Sequence, residues 1–263
     1  MNRRDLIACF EDTQRIIHEA LHEETQRLRN ATRLYGPGFQ ARSRRTKSAG
    51  SPIEVREDTT FHCAGQYGDG HTAVLNLANA YRPGGGVVSG AMAQEECLCR
   101  SSNLYNSLTQ PEMMERYYRW NRANTDFLGT DAVIYSPGVR VFKSDDAVPV
   151  PLDTPFTVDV LTCAAPELYQ LREPMPAAQL AEVYDRRIRN ILEAAIENDV
   201  DFLILGAFGC GAFRNPPELV AASCRRLLVE QGYRDSFKRV IFAIKRNNAG
   251  NTNLLAFRQV LCE

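Results

Sequence analysis

The sequence predicts an α/β protein in which a largely parallel or mixed sheet lies between layers of helices. Short apolar runs alternate with longer amphipathic stretches along most of the 263 residues, which is typical of strands that alternate with helices. Some runs, such as Phe202–Leu205, are apolar throughout, as expected of a strand buried on both faces. The length and the ordinary composition, 44% hydrophobic and 24% charged, fit one large domain with an extension.

The N-terminal segment predicts a helix from about Arg3 to Arg33. Its apolar residues recur at spacings that place them on one helical face; they are Leu6, Phe10, Ile17, Leu21 and Leu28. We expect this face to pack on the body of the protein. The following stretch, Tyr35–Pro52, is rich in Gly, Pro, Ser and Arg and is predicted to be a loop.

The rest of the chain divides into candidate strands and helices. The candidate strands are Thr59–Cys63, Ala73–Leu77, Ala132–Tyr135, Thr157–Cys163, Phe202–Leu205 and Val240–Ile244. The candidate helices are Gln94–Ser107, Glu112–Trp120, Ala178–Glu197, Pro217–Glu230 and Asn253–Leu261. In such sheets, ligands bind beyond the carboxyl ends of the strands, so the loops at those ends are the candidate sites.

The charge pattern gives no support for general nucleic-acid binding, because 31 basic residues balance 32 acidic ones. The local cluster of Arg42, Arg44, Arg45 and Lys47 is interpreted as a solvated, mobile loop. No stretch has the length and apolarity of a membrane span or a signal peptide. The eight scattered cysteines are therefore expected to be reduced, in the cytoplasm.

A metal site is not expected. Cys97 and Cys99 are two residues apart, so on a helix they would point to nearly opposite faces and could not bind one ion together. His62 and Cys63 lack a second, suitably spaced pair of ligands.

The first candidate loop follows the strand Ala73–Leu77. Asn79 comes just beyond the strand end, and Gly84, Gly85 and Gly86 follow. An asparagine there can donate and accept hydrogen bonds, which suits a sugar diol; it can equally cap its own turn. The glycines would let a ligand approach the backbone closely.

Two adjacent acids, Glu95 and Glu96, follow at a predicted helix start. Acidic residues are favoured there by the helix dipole and the free N–H groups, so a structural role and a catalytic role are both open. Because adjacent helical residues point about 100° apart, only one of the two is expected to aim squarely at a reacting centre.

The second candidate loop runs from Gly206 to Pro217 and connects the strand Phe202–Leu205 to a helix. A glycine-rich loop between strand and helix presents N–H groups to phosphate, although this one is neither a Walker A loop nor a dinucleotide fingerprint. Asn215 is a candidate N-cap for the helix, with Glu218 in capping-box spacing. Phe208 and Phe213 are interpreted as core residues or as stacking partners for a ribose or base.

These residues together resemble a known family. Gly84–Gly86, a seven-residue spacer and Gln94-Glu95-Glu96 resemble the signature of the poly(ADP-ribose) glycohydrolases, and Gly209–Phe213 resembles their second phosphate loop. Two further stretches, Tyr135–Val139 and Thr162–Pro166, resemble the microbial branch. The resemblance spans roughly Asp58 to the C-terminus, with the N-terminal helix.

The resemblance implies a macrodomain: a three-layer α/β/α fold with a mixed central sheet, here residues 53–263, preceded by an N-terminal helical extension and loop in residues 1–52. It implies hydrolysis of ribose–ribose O-glycosidic bonds, mainly from chain ends, with ADP-ribose as product. The substrate would be ADP-ribose polymer or ADP-ribosylated protein, with no metal or cofactor, and we expect a monomer that binds neither membrane nor general nucleic acid.

The same resemblance implies roles for individual residues. Glu96 corresponds to the catalytic glutamate and Glu95 to a residue that holds the distal ribose. The implied substrate-binding residues are Asn79, Gly84, Gly85, Gly86, Val87, Gln94, Phe208, Gly209, Cys210, Gly211, Ala212 and Phe213. In the implied mechanism Glu96 protonates the departing 2′-oxygen and then deprotonates the incoming water, through an oxocarbenium-like state.

Three alternatives remain open from the residues. A macrodomain reader would bind ADP-ribose without cleaving it, and needs the phosphate loops but no acid. A mono-ADP-ribosyl hydrolase would use the same cleft with another leaving group. A generic nucleotide-handling α/β enzyme is the third.

Overall fold

The computed structural model describes residues 2–68, 70–124, 126–246 and 250–262, and its centre is a seven-stranded mixed sheet. The strands lie in the order β1-β4-β5-β3-β6-β7-β2. They are β1 (Arg33–Tyr35), β2 (Ile53–Arg56), β3 (Thr72–Ala78), β4 (Val133–Lys143), β5 (Pro151–Ala164), β6 (Phe202–Leu205) and β7 (Arg239–Ala243). The pairs from β5 to β2 are parallel, whereas β4 is antiparallel to both β1 and β5. The mixed sheet is therefore confirmed.

Helices cover both faces of this sheet. They are α1 (Arg3–Ala20), α2 (His22–Ala31), α3 (Thr60–Ala64), α4 (Gln94–Ser101), α5 (Leu104–Leu108), α6 (Pro111–Met113), α7 (Trp120–Ala123), α8 (Ala177–Glu197), α9 (Pro217–Arg225) and α10 (Thr252–Leu261). A π-helical turn joins α6 to α7 and another extends α9. None of the helices in the described residues is long and apolar enough to cross a membrane.

The hydrophobic core is divided by the sheet into two clusters. On one face, side chains of α8, α9 and α10 such as Tyr184, Leu227 and Phe257 pack on the strands. On the other face, Phe10 and Leu28 of the N-terminal helices pack with Leu98 and Tyr117. The predicted three-layer arrangement is confirmed, and the apolar face of the N-terminal helix does belong to the core.

The N-terminal extension differs in two details from its prediction. The expected single helix is two helices with a break at Leu21, and Tyr35 belongs to β1, which pairs with β4 at the edge of the central sheet. The sequence has no glycine or proline at this break that would have predicted it. It lets α2 turn toward α5 and β4, where Asn103 Nδ2 donates to Thr25 Oγ1 at 3.0 Å.

The predicted strand Thr59–Cys63 is wrong, because this segment forms α3. The carboxylate of Asp145 accepts the backbone N–H groups of Phe61 at 2.7 Å and His62 at 3.3 Å, and the Thr59 hydroxyl at 2.7 Å. These bonds satisfy the free donors at the start of a helix. The strand at this edge is instead β2, four residues upstream of α3.

The predicted helix Gln94–Ser107 is interrupted at Ser102 and Asn103. Ser102 forms an isolated bridge with Val141 of β4, and the Asn103 side chain accepts the Arg140 N–H at 2.9 Å. This pairing with the strand ends α4 and starts α5 separately.

The basic cluster 42–47 is more tightly held than the predicted solvated loop, so that interpretation is wrong in part. Lys47 Nζ donates to Asp199 O at 2.7 Å and to Asp201 Oδ1 at 3.0 Å. Arg44 lies 4.0 Å above the ring of Tyr233, and Arg42 pairs with Glu197.

Candidate active site

Three loops leave the carboxyl edge of the parallel strands β3, β5 and β6, and they lie side by side. The first loop begins at Asn79 and leads to the glycines 84–86. The second loop begins at Ala165. The third loop begins at Gly206 and is the second of the two candidate loops named from the sequence. A Cβ atom placed on Gly209 would come within 2.5 Å of the Ala165 Cβ, so the second and third loops are in contact. The strand-end location expected from the sequence is confirmed.

Gln94 fastens the start of α4 to strand β3. Its Oε1 accepts the Leu77 N–H at 2.8 Å, and its Nε2 donates to Leu75 O at 2.8 Å and Thr60 Oγ1 at 3.0 Å. β3 pairs with β6 only as far as Val74, so the glutamine amide replaces a missing strand neighbour. Its hydrogen-bonding groups are occupied by the protein, and the residue sets the position of the two glutamates that follow.

Glu95 is buried beneath the first loop, with 3% of its surface exposed. Its Oε2 accepts the Asn79 N–H at 2.7 Å, and its Oε1 accepts Asn76 Nδ2 at 3.3 Å. Burial raises the pKa of Glu95 to about 8, and the neighbouring Glu96 adds to this rise, while the Asn79 N–H opposes it. Burial thus favours the protonated form of the Glu95 carboxyl.

Glu96 is buried between the glycines and its own helix, with 7% of its surface exposed. Its Oε1 accepts the Gly86 N–H at 2.8 Å and its Oε2 accepts the Ala93 N–H at 2.7 Å. The bond from the Ala93 N–H satisfies a free donor at the start of α4, so the structural role left open by the sequence is real. The bond to Gly86 joins the same carboxylate to the first loop.

Both carboxylates border Gly85. A Cβ atom at Gly85 would clash with Glu96 Oε1 and lie 3.1 Å from Glu95 Oε2. The side chains of these two adjacent helical residues thus meet at the Gly85 backbone, and the expectation that only one of them aims squarely at a reacting centre stays a prediction. Gly85 also has φ +59°, a backbone conformation that favours glycine.

The other members of the first loop are held by local bonds. Gly84, which would clash with Tyr105 if it carried a side chain, has its N–H directed at Glu95, and the side chain of Val87 is buried in the core. Asn79 Oδ1 accepts the N–H groups of Tyr81 and Arg82, both at 2.9 Å. The turn-capping role of Asn79 is thus confirmed, and its Nδ2 donates to no acceptor in the described part of the chain.

The third loop differs from the first in the hydrogen bonding of its backbone N–H groups. The N–H groups of Gly209, Gly211, Ala212 and Phe213 have no acceptor within the described residues, whereas those of Cys210 and Asn215 close turns on Ala207 O and Gly209 O, both at 3.1 Å. Gly209 has φ +76° and no room for a Cβ, but a Cβ on Gly211 would meet nothing within 4 Å. The fold therefore requires a glycine at 209 and does not require one at 211.

Asn215 braces the third loop, and its predicted role as helix N-cap is wrong. The N-cap residue of α9 is Pro216, without a side-chain bond. Asn215 Nδ2 instead donates to Pro166 O at 2.8 Å and Gly209 O at 3.0 Å, which ties the second loop to the third.

The two phenylalanines of the third loop differ in burial. Phe208 is 2% exposed and packs edge-on against Tyr184 with ring centroids 5.9 Å apart, so its ring belongs to the core. Phe213 is partly exposed and lies nearly parallel to Tyr169, at a centroid distance of 6.5 Å. Cys210 is half-buried, and burial raises the pKa of its thiol.

The sequence analysis singled out Thr162–Pro166, at the start of the second loop, but not the residues that follow, which include Glu167 and Tyr169. Glu167 is a buried carboxylate whose Oε2 accepts Tyr169 OH at 3.1 Å and Gln170 Nε2 at 2.6 Å. The signal was present, because these residues follow the end of β5 just as the other two loops follow β3 and β6. Across the described residues, no group of His, Cys, Asp and Glu side chains is arranged to hold a metal ion.

Comparisons with known proteins agree on one family. The family model described as "Microbial-type PARG, catalytic domain" matches residues 11–144. A crystal structure of poly(ADP-ribose) glycohydrolase (PARG) from Thermomonospora curvata has a TM-score of 0.86 and 33% identity, covering 98% of this chain and 99% of that chain. The same enzyme bound to the inhibitor ADP-HPD gives a TM-score of 0.84 and 32% identity, with 97% and 99% coverage.

A third structure, PARG from Deinococcus radiodurans in complex with ADP-ribose, has a TM-score of 0.82 and 37% identity, covering 90% of this chain and 96% of that chain. A comparison with curated protein sequences found no match. Because the family model covers residues 11–144 and the solved structures match almost the whole chain at 32% to 37% identity, the chain belongs to the microbial-type poly(ADP-ribose) glycohydrolase family of glycosidases.

Proposed function

We propose that the protein hydrolyses the ribose–ribose O-glycosidic bond of poly(ADP-ribose), mainly at chain ends, and releases ADP-ribose. The observation that carries this proposal is the convergence of two buried carboxyl groups, Glu95 and Glu96, on Gly85, beside a loop with uncommitted N–H groups. A reader of ADP-ribose needs such a loop but has no use for buried acids, whose desolvation is unfavourable.

The diphosphate of the terminal ADP-ribose would bind the third loop. The N–H groups of Gly209, Gly211, Ala212 and Phe213 donate to no acceptor in the described residues, and such groups suit phosphate oxygens. The distal ribose would then lie between the ring of Phe213 and the Nδ2 of Asn79, which donates to no acceptor among the described residues. The N–H groups of Gly84–Val87 are bonded within the protein, so this segment would contribute by letting the ligand approach its backbone closely. Gln94 would contribute by positioning the two glutamates.

Glu96 would act as acid and then as base. In the first step the C1″–O2′ bond breaks, the proton of Glu96 passes to the departing 2′-oxygen, and positive charge develops at C1″. In the second step water adds to C1″ and gives its proton to Glu96, which restores the acid. The substrate diphosphate, held nearby, would stabilise the developing cation.

The acid requires a proton in the site before the reaction begins. Burial raises the pKa of Glu95 to about 8, so near pH 7 Glu95 would supply the proton that Glu96 gives to the departing 2′-oxygen. Since that proton is lost as the pH rises through about 8, we expect activity to decline above this pH.

The test is turnover of poly(ADP-ribose) by the wild-type protein and by Glu96→Gln. Wild type should release monomeric ADP-ribose, and the variant should lose about 10²- to 10⁴-fold in rate while it still binds ADP-ribose. Glu218→Gln is a matched control, because Glu218 also lies in the first turn of a helix but is exposed; its rate should not change.

Other outcomes identify the alternatives. Wild-type protein that binds ADP-ribose but leaves polymer, and mono-ADP-ribosylated serine, aspartate and arginine, intact would be a reader. Release of ADP-ribose only from a mono-ADP-ribosylated residue would indicate a mono-ADP-ribosyl hydrolase. Turnover of polymer by Glu96→Gln at the wild-type rate would contradict the assignment of Glu96.

Three wider expectations belong to the same proposal. Residues 53–263 would contain all the catalytic groups, and residues 1–52 would form an extension packed on them, since Arg3 O lies against Gly90 beside the first loop. The protein would act as a monomer. Its location in the cytoplasm stays a prediction.

A further inference from the structure

The second loop contains an exposed aromatic ring that is unusually well held. Tyr169 is 50% exposed, yet its hydroxyl bonds to Glu167, which is only 2% exposed. Exposed tyrosines are ordinarily free to turn into solvent. Here a buried carboxylate fixes the far end of the ring, and Gln170 bonds to the same Oε2 at 2.6 Å.

Packing alone does not explain why the carboxylate of Glu167 is buried. Glu167 Oε1 is buried and has no hydrogen-bond partner in the described part of the chain, and a buried polar atom in that state is unfavourable and rare. The loop is fixed in place by other bonds, from the Glu167 N–H to Phe127 O at 2.8 Å and from Asn215 to Pro166 O at 2.8 Å. What the side chain of Glu167 adds is the orientation of Tyr169 and Gln170.

Tyr169 lies near groups of the proposed ribose pocket. Its ring lies beside that of Phe213, nearly parallel at a tilt of 27°. Tyr81, two residues beyond Asn79, is also nearby, and burial together with the carboxylate of Glu167 raises the pKa of Tyr81 to about 12. The oriented ring therefore lies next to the groups proposed to hold the distal ribose, on the β5 side of the cleft, away from β7 and β2.

We infer that Tyr169 is a stacking platform for the adenine of the penultimate ADP-ribose unit, whose 2′-oxygen is the leaving group, and that Glu167 is the positioning residue for this ring. The inference rests on the proposed function, because only a polymer places an adenosine beyond the distal ribose. A base stacks on any aromatic face without regard to sequence, so one fixed ring is sufficient to hold it.

The experiment compares the affinities of the ADP-ribose dimer and of ADP-ribose, both measured in the Glu96→Gln background so that the dimer stays intact. The dimer should bind more tightly than the monomer. Tyr169→Ala should weaken dimer binding by about tenfold and change ADP-ribose binding by less than about twofold. Tyr169→Phe keeps the ring and should lie between.

Two further variants separate positioning from stability. Glu167→Gln should weaken dimer binding less than Tyr169→Ala does and, with Glu96 restored, should raise KM for polymer without lowering kcat. Val150→Ala is the control, because Val150 is 53% exposed and directly precedes β5, at the end of the strand away from Tyr169; it should change neither affinity.

The possible failures are distinct. Equal loss of dimer and monomer affinity in Tyr169→Ala would place this ring in the ADP-ribose pocket itself and overturn the inference. Unchanged dimer affinity would overturn it as well. Wild-type protein that fails to cleave polymer would contradict the proposed function, whereas the binding ratio would still decide the role of Tyr169.

Discussion

The first and third loops are both rich in glycine, but they differ in how many of their backbone N–H groups donate within the protein. Each follows a parallel strand and contains a glycine with positive φ, Gly85 at +59° and Gly209 at +76°. In the first loop the N–H groups of Gly85, Gly86 and Val87 all donate within the protein. In the third loop four N–H groups, those of Gly209, Gly211, Ala212 and Phe213, remain uncommitted among the described residues.

From this difference we infer that a glycine-rich loop can make room for a carboxylate of the same protein as well as for a bound phosphate. The first loop is folded onto Glu95 and Glu96, so its glycines make room for side chains of the same protein. Asn215 holds the third loop through hydrogen bonds to Pro166 O and Gly209 O, and a Cβ on Gly211 would meet nothing within 4 Å. We therefore expect substitutions in the first loop to affect chemistry and folding, and those in the third loop to affect ligand affinity.

The largest effect is expected from Gly85→Ala. The added Cβ would clash with Glu96 Oε1, and φ of +59° is unfavourable for alanine. We expect polymer hydrolysis to fall by about 10³-fold and the melting temperature to fall with it. Turnover assays and thermal unfolding check this. A variant with full activity and stability would show that the first loop does not constrain Glu96.

The next effect is the pH dependence of stability from Glu95. Its pKa is raised in the folded state to about 8, above the ordinary value of 4.5, so the folded protein binds the proton more tightly than the unfolded chain. Stability contributed by the protonated carboxyl is lost as the pH rises from about 4.5 toward 8.

Glu95→Gln removes this loss. Relative to wild type, the free energy of unfolding of the variant should rise by about 2 kcal/mol or slightly more between pH 5 and pH 7, measured by urea denaturation at each pH. Glu218→Gln, at an exposed position, should show no such trend. If the difference between Glu95→Gln and wild type were constant across these pH values, Glu95 would be ionised in the folded protein.

The smallest effect is expected from Gly211→Ala. A Cβ at this position would meet no protein atom within 4 Å and the backbone is not in the left-handed region, so stability should not change. If the diphosphate binds against this loop, the methyl group should weaken ADP-ribose binding by about tenfold. Isothermal titration calorimetry checks this. Unchanged affinity would move the diphosphate away from the third loop.

Several parts of this fold could be predicted because their signals are local. The strand Phe202–Leu205 agrees residue for residue with β6, and the predicted helix Ala178–Glu197 differs from α8 by one residue. Both have strong periodic or continuous apolar patterns. The α3 helix could not be predicted, because its N-terminal donors are satisfied by Asp145, which is more than 80 residues away.

The site was predictable to a similar degree. The motifs located both glycine loops, since each loop follows a strand, and placed Glu95 and Glu96 at the start of a helix. The sequence could not show that Gln94 bonds to the backbone of β3 or that both carboxylates converge on Gly85, because these contacts depend on how α4 packs on β3. The bond from Tyr169 to buried Glu167 could not be predicted for the same reason.

The central claim is that the first loop and Glu96 perform the chemistry while the third loop binds the diphosphate. The most direct test is the dissociation constant of ADP-ribose for Glu96→Gln, whose folding is checked by thermal unfolding. We expect a value within about twofold of wild type, although polymer turnover is almost abolished. An affinity that falls in proportion to the rate would contradict it, because Glu96 would then bind ADP-ribose rather than act on the bond.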